Sequence, residues 1–597
     1  MKTALGYVLS ALVASVHASS LHALRHSPLH DERQIPPQLD YNLYPRAACD
    51  NTNKSRHCWG NYSIDTNYYD ETPDTGVTRE YWLSVEEGAC APDGYARQCQ
   101  TVNGTVPGPT IIADWGDSLV IHVTNNLKSN GTAIHWHGLR QSGSNIYDGV
   151  PGITQCAIAI GQSMTYRFKV TQYGSSWYHS HFSLQYANGV FGGIVFNGPA
   201  TSNYDEDLGH LFLSDWSHVD VFTRWFAARN GQPPALESGL INGTNKYDCS
   251  NSTTDANCTG RGVKLTTVVE KGKKYRLRLV NAAVDGVFQF SIDKHKLKVI
   301  AADLVPIKPY STSSLKLTEG QRYDIIFHAN QAVDNYWIRA GWLNACQPNA
   351  HPDSITSVLR YNASSTEDPT TTSDVTLSSD CLDEPLASLV PHLKIDVTNI
   401  QKSFDTYLNI SKQVDYIHWT INTSSLVIDW ANPTLKQVFN GESLFPTDYN
   451  VLAINKTTTD KEWIVLVIQD QSNLGLEHPI HLHGHDFWIL DQSTGTFDAS
   501  TSPQNFKTKN PARRDVAALP GNGYLAIAFM PDNPGAWLCH CHIAWHASEG
   551  LSLEFLEREA DIKADVSDSD RTQFDGICQS WSDSLGTQAF PQEDSGI

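Results

Sequence analysis

Methionine is almost absent: Met1, Met164 and Met530 are the only three in 597 residues. A thioether ligand for a metal therefore has almost no source. Positive charge is also short, with 43 Lys and Arg against 64 Asp and Glu and a formal charge of -21. That balance argues against nucleic acid and anionic membranes as partners; a solvated acidic surface accounts for it and says nothing about substrate. Beyond an apolar run at 4–16, no stretch has the uninterrupted apolar length of a membrane helix, so no membrane association is expected. Long segments of 3.6-residue period are missing too, and 220–228 reads as a short helix at best.

What is present has the period of β-strands. Residues 118–124, 164–170, 275–280 and 463–468 are short alternating or apolar runs, separated by turn pairs such as Asn103-Gly104. The expected class is all-β, a string of β-sandwiches, and the length suggests about three domains. Residues 1–20 read as a secretory signal, with Lys2, the apolar run and small residues around Ala18. Residues 21–46, rich in His, Pro and charge, read as a removable pro-segment. The chain is thus expected to be secreted, and the eleven glycosylation sequons from Asn53 to Asn455 agree, each a candidate for an N-glycan.

The chemistry concentrates at 538–546, where His540, Cys541, His542 and His546 place three imidazoles and a thiol within seven residues. In an extended segment side chains alternate, so His540 and His542 face one way and Cys541 the other. Cys541 can then bind one metal while its neighbours bind a second centre behind it. A thiolate with two imidazoles in a trigonal site is typical of blue copper; taken alone, a structural zinc site or a chance grouping is the plain alternative. Three further clusters change the balance: His135/His137, His179/His181, and His478, His481, His483 and His485. Four His-x-His pairs, two towards each end of the chain, supply eight imidazoles to one pocket, and imidazole without carboxylate fits copper better than calcium or magnesium. The seven histidines between His181 and His478 show no such pairing, so the outer units carry the ligands and the middle one does not. Boundaries are expected near 205 and 385.

These four segments resemble the copper-binding motifs of the multicopper oxidases, and among them the laccases of the ascomycete type, over about residues 47–597. The resemblance implies three sequential cupredoxin-like, Greek-key β-sandwich domains at 47–205, 206–385 and 386–597, the second without copper and contributing to the substrate pocket. It implies four copper ions. The type 1 copper takes His478, Cys541 and His546, and the type 2 copper takes His135 and His481. The type 3 pair takes His137, His179, His181, His483, His540 and His542. His485 is left over. The implied reaction is one-electron oxidation of phenols or aromatic amines, entering through His546, coupled to reduction of dioxygen to water; the expected state is a monomer. The axial position, five after the last ligand, falls on Leu551, which cannot coordinate. That departure raises the expected potential of the type 1 copper and speaks against ascorbate-oxidase-like and bilirubin-oxidase-like readings, as scarce methionine does against a cuprous-ion oxidase. A ferroxidase of the same family is the runner-up, and a copper protein without oxygen reduction is the alternative from another class.

Three acids carry implied roles. Glu237 matches the laccase acid at the substrate pocket, Asp148 the acid that feeds protons to the trinuclear site, and Asp594, with Ser183 and Ser548, the gate to a channel occupied by the tail 594–597. Trp545 and Trp419 either wall the substrate pocket or are core aromatics. Of the 12 cysteines, Cys49/Cys58, Cys90/Cys99 and Cys249/Cys258 are each nine apart and suit local loops, while Cys156, Cys346, Cys381 and Cys578 supply two longer bridges of open connectivity. With Cys541 a metal ligand the remainder is odd, and Cys539 is the candidate free thiol.

Overall fold

A computed structural model describes residues 49–250, 254–412, 415–454, 462–586 and 592–597. The expected signal (1–20), the pro-segment (21–46) and the sequons Asn251 and Asn455 lie outside these residues. Apart from a two-stranded sheet of Cys58–Trp59 and Tyr62–Ser63, the described strands form three consecutive pairs of sheets. The first pair is two four-stranded sheets; the second and third are each a six-stranded and a five-stranded sheet. Each of these six sheets holds one parallel pair among antiparallel neighbours. Thr78–Cys90 lies parallel to Ser118–Asn126 in the first unit, and Ile400–Lys412 parallel to Trp463–Asp470 in the third. A parallel pair cannot be joined by a hairpin, so the chain crosses between sheets, as a Greek-key sandwich requires. The expected all-β class holds.

Strand patterning follows from which faces are covered. Ser118–Asn126 alternates, with Leu119, Ile121 and Val123 buried and Val120, His122 and Thr124 half-buried on the other face. Trp463–Asp470 is buried at every position because both of its faces are covered: Ile464, Leu466 and Ile468 join one core cluster and Trp463, Val465 and Val467 another.

Two features outside the sheets hold the units in register. Buried ion pairs run between the second and third: Arg322 to Asp515, and Arg514 to Asp303. A disulfide joins Cys156 to Cys578, 422 residues apart. Cys578 sits on the helix Asp568–Ser584, which buries Phe574, Ile577, Cys578 and Trp581 against the first unit. This 17-residue helix is a departure from the reading of the chain as nearly helix-free. The expected short helix is Val221–Ala228, capped by the Asp220 carboxylate, which accepts from the Phe222 N–H. The three nine-apart pairs are bridged, Cys346 pairs with Cys381, and Cys539 and Cys541 remain free and buried.

Candidate functional site

Two pairs of strands, one from the first unit and one from the third, carry the histidines. Ile134–His137 runs antiparallel to Gly174–Ser180, with His135 opposite His179. His478–Leu482 runs antiparallel to Gly535–Cys541, with His481 opposite His540. The two-residue period turns every second side chain to one face, and the two faces meet. His137 stacks on His481 with ring centroids 3.9 Å apart, and His135 on His483 at 3.9 Å. The ligand atoms of His137, His179 and His542 lie within 4.8 Å of one another, as do those of His181, His483 and His540, and those of His135, His137 and His481.

Surrounding oxygens fix which nitrogen of each ring faces inward. Nδ1 of His135 donates to the Asp148 carbonyl (2.8 Å), of His481 to the Asp515 carbonyl (2.7 Å), of His179 to the Ser180 carbonyl (3.0 Å) and of His540 to the Cys541 carbonyl (2.9 Å). Nδ1 of His483 donates to the Asp148 carboxylate at 2.8 Å. A carbonyl only accepts, so Nδ1 carries the proton and Nε2 keeps its lone pair. All five Nε2 atoms are buried without a partner, as are both ring nitrogens of His137, His181 and His542. Leaving a buried polar atom unpaired costs about 1–3 kcal/mol, so eight such rings in one pocket call for metal ions. Burial also holds His137, His179, His181, His481, His483 and His542 well below the usual imidazole range and His540 down to about 3. Neutral imidazole is the ligating form.

The second centre lies across the strand. Cys541 Sγ is 3.7 Å from Nδ1 of both His478 and His546, and those nitrogens are 3.1 Å apart. An ion at the centre of that triangle lies about 2 Å from each atom, a normal first-row metal bond length. Burial pushes the Cys541 thiol well above its usual range, so a cation is what would hold it as thiolate. Leu551 is fully buried against both ligands: its carbonyl accepts from Cys541 N and its N–H donates to the His546 carbonyl, each at 3.0 Å. It brings no donor, which suits a trigonal copper site better than the four-donor shell of structural zinc. His546 is only half-buried, unlike His478 and Cys541, so it is the exposed edge of this centre.

Supporting residues include some that the sequence had not singled out. Asp148, fully buried, orients one ring through its carbonyl and another through its carboxylate. Asp515 supplies the carbonyl for His481 while Arg322 grips its carboxylate, tying the ligand shell to the middle unit. No motif marks Asp515; its one hint is an Arg-Arg-Asp run set between apolar strands. Gly320 passes so close to His542 that a Cβ there would sit 2.8 Å from the ring, and its φ of +81° favours glycine as well. The leftover His485 reaches Glu557 at 3.1 Å and is not in these groups.

Glu237 is half-buried and committed: Arg224 pairs with one carboxylate oxygen and the His218 N–H donates to the other at 3.0 Å. It is not among the residues lining the cleft that reaches His546. Trp545 is a core residue, and Trp419 packs edge-on against His478 and tilted against His546, with centroids 4.9 and 4.6 Å away. Asp594 accepts from the Ser183 hydroxyl, and burial pushes its carboxyl up to about 6. Ser595 N–H donates to the Ser548 carbonyl at 2.9 Å. Ile597 lines a small cavity together with His179, His181, His540 and His542.

Family models described as multicopper oxidase match residues 84–201, 208–364 and 417–561. The chain is 56% identical to Laccase-2 of Botryotinia fuckeliana, over 99% of this chain and 98% of that protein. It superimposes on the crystal structure of a laccase from Botrytis aclada with a TM-score of 0.89 and 56% identity, covering 92% of this chain and all of that one. Fet3p, a multicopper oxidase described as functioning in iron import, matches at a TM-score of 0.72 and 26% identity over 85% of this chain and 95% of that one.

Proposed function

The chain belongs to the multicopper oxidase family, as a laccase, and from that premise we propose that it is a secreted enzyme with four coppers that oxidises phenols and aromatic amines. The observation that carries this reading is the set of eight inward-facing imidazoles with unpaired nitrogens, placed next to the Cys541, His478 and His546 triangle. His478, Cys541 and His546 are assigned to the type 1 copper and His135 and His481 to the type 2. Two triads, His137/His179/His542 and His181/His483/His540, are assigned to the type 3 pair. The three domains are assigned to 47–205, 206–385 and 386–597, in keeping with strand sets that fall within 58–197, 206–360 and 400–557.

When bound, copper supplies the one-electron chemistry that couples donor oxidation to the four-electron reduction of dioxygen to two waters. The chain's own residues set the rest. His546, half-exposed, is the contact edge for the donor. The peptide of Cys541 joins it covalently to His540 and His542, so the two ligand sets share a short bonded path. Burial of all eight imidazoles excludes water from the dioxygen site, Asp148 holds two rings in their ligating tautomer, and Asp594 holds a proton beside the cavity. Glu237 is assigned as an acceptor for the proton that a phenol releases, with Arg224 fixing its orientation.

Oxygen uptake with a simple phenol and with ferrous ion, side by side, tests the reading: fast turnover of the phenol and slow turnover of iron is expected, and the reverse would make the protein a ferroxidase. Glu237→Ala should lower kcat/KM on phenols about tenfold or more and spare a donor that releases no proton. Equal losses on both would mean general damage. Leu551→Met should lower the reduction potential of the type 1 copper by offering it an axial thioether. Redox titration of both proteins checks this, and an unchanged or higher potential would remove Leu551 from the axial position.

A further inference from the structure

On the face of the third unit that meets the first, a buried acid stands without a hydrogen-bond partner. Glu554 lies in the strand Ser552–Glu557, directly across from Leu538, and Ser552 lies directly across from His540. Residues opposite each other in an antiparallel pair share a face, with Cβ atoms about 5 Å apart and diagonal neighbours about 7–8 Å apart. Ser552 therefore borders the His540 ring, and Glu554 is one step further along the same row. The rest of the row is apolar: Ala536, Leu538 and Leu556 join the core under the first unit. Glu554, Ser552, Ser548 and Thr434 are all fully buried, and neither the two Glu554 oxygens nor the three hydroxyls make a hydrogen bond of normal geometry. Burial pushes the Glu554 carboxyl up to about 8, against a downward pull from the Thr434 hydroxyl beside it, so at neutral pH it carries its proton. Behind Glu554 the chain leads out to solvent. Its N–H donates to the Asn450 carbonyl at 3.2 Å, and Tyr449, the residue before, lines an open groove of about 750 Å³ together with Asn432 and Asp448. A charge on Glu554 raises the Tyr449 hydroxyl, which places the two groups within electrostatic reach.

Buried polar groups are normally paired, and those left over by the protein are ordinarily completed by internal water. For packing alone, an apolar side chain would fill this row better than an acid without partners. A carboxyl that rests neutral can both give and accept a hydrogen bond. Set between a solvent-open groove and a ligand strand, it has the parts of a proton relay. We propose that Glu554 is a proton store for the dioxygen site: it passes its proton through Ser552 and internal water towards the His540 side of the pocket, and takes a replacement from the groove past Thr434 and Tyr449. This rests on the laccase reading, in which each dioxygen takes four electrons from the donor and four protons from solvent to leave two waters. Glu554 is unchanged after each cycle, because its O–H bond breaks as the proton moves to the adjoining water and reforms with a proton from the groove. The tail acid Asp594, bonded to Ser183, is a separate supply. Four protons are consumed, so the two acids serve different protons of one turnover, and loss of either slows it.

Glu554→Gln keeps the size and polarity of the side chain but has no acid proton to pass on, and Ser552→Ala removes the hydroxyl next in line. Copper-loaded Glu554→Gln is expected to lower kcat with a phenol about tenfold, less than for a proton donor in direct contact with its acceptor. KM for the phenol and the rate at which it bleaches the blue band without oxygen should stay as in wild type, because reduction of the type 1 copper draws no proton from this row. The solvent deuterium isotope effect on kcat should exceed that of wild type. Ser552→Ala should lose about as much as Glu554→Gln, and the double variant no more than either alone, since both interrupt one path. Independently of turnover, the infrared spectrum of the resting protein should lose one band of a buried, protonated carboxyl in Glu554→Gln. Unchanged kcat in Glu554→Gln would overturn the proposal, as would the same carboxyl bands as wild type. Equal losses of kcat and bleaching rate, or additive losses in the double variant, would overturn it too. A wild-type enzyme that took up no oxygen with any phenol would overturn the laccase reading itself, and this proposal with it.

Discussion

Cys541→Ser yields a protein with no blue colour and no measurable turnover of phenols, but with most of its trinuclear copper. Serine is close to cysteine in size, and the position is fully buried in the strand Gly535–Cys541, whose backbone bonds to its neighbours do not involve the side chain. The fold should therefore survive. What is lost is the thiolate, the only sulfur in a triangle whose other corners are His478 and His546 Nδ1, and with it the intense charge-transfer band and the soft ligand. Five of the eight imidazoles on the opposite face keep their Nδ1 partners, and all eight keep their free Nε2 atoms, so they should still bind metal. Visible absorbance, copper content per chain and oxygen uptake decide it. A blue Cys541→Ser protein would remove Cys541 from the metal site.

The ligand positions were legible in the sequence because a two-residue period maps directly onto one strand face. His-x-His on an extended strand leaves little freedom, and the fold brings all four pairs together between the first and third units. The sandwiches were legible for the same reason. The long helix Asp568–Ser584 was missed although it carried a signal: Ser567 three before Asp570 at its start, and Phe574, Ile577, Cys578 and Trp581 at helical spacing. Its polar composition hid the stripe. Asp515 was barely legible, because what matters about it is a three-dimensional neighbour. Arg322 lies 193 residues from Asp515. Glu237 shows the opposite case, where a local match pointed to an acid but could not reveal that Arg224 and the His218 N–H already hold its carboxylate.

Removing residues 594–597 cuts turnover about a hundredfold, the usual scale for losing a positioned proton donor, and disturbs the trinuclear coppers while leaving the blue band alone. An acidic tail ordinarily frays, but this one is tied down at every residue. Asp594 takes the Ser183 hydroxyl, Ser595 bonds to the carbonyls of Ala547 and Ser548, and the Trp430 indole donates to the Gly596 carbonyl at 2.9 Å. Ile597, 3% exposed, closes the cavity beside His179 and His540 and adds roughly 1–2 kcal/mol by burial. Burial raises the Asp594 carboxyl from 3.8 to about 6. A carboxyl raised in this way favours the docked state most strongly below 3.8 and loses that contribution as pH rises through about 6. Its proton-bearing form declines over the same window. For a donor that releases no proton, kcat should therefore fall as pH rises through about 6, and Asp594→Asn should lower kcat and flatten that limb. The measurements are kcat against pH for wild type and Asp594→Asn, and the paramagnetic copper spectrum of the truncated enzyme. Full activity and unaltered trinuclear spectra after truncation, or the same pH limb in Asp594→Asn, would show that the docked tail takes no part in moving protons to the dioxygen site.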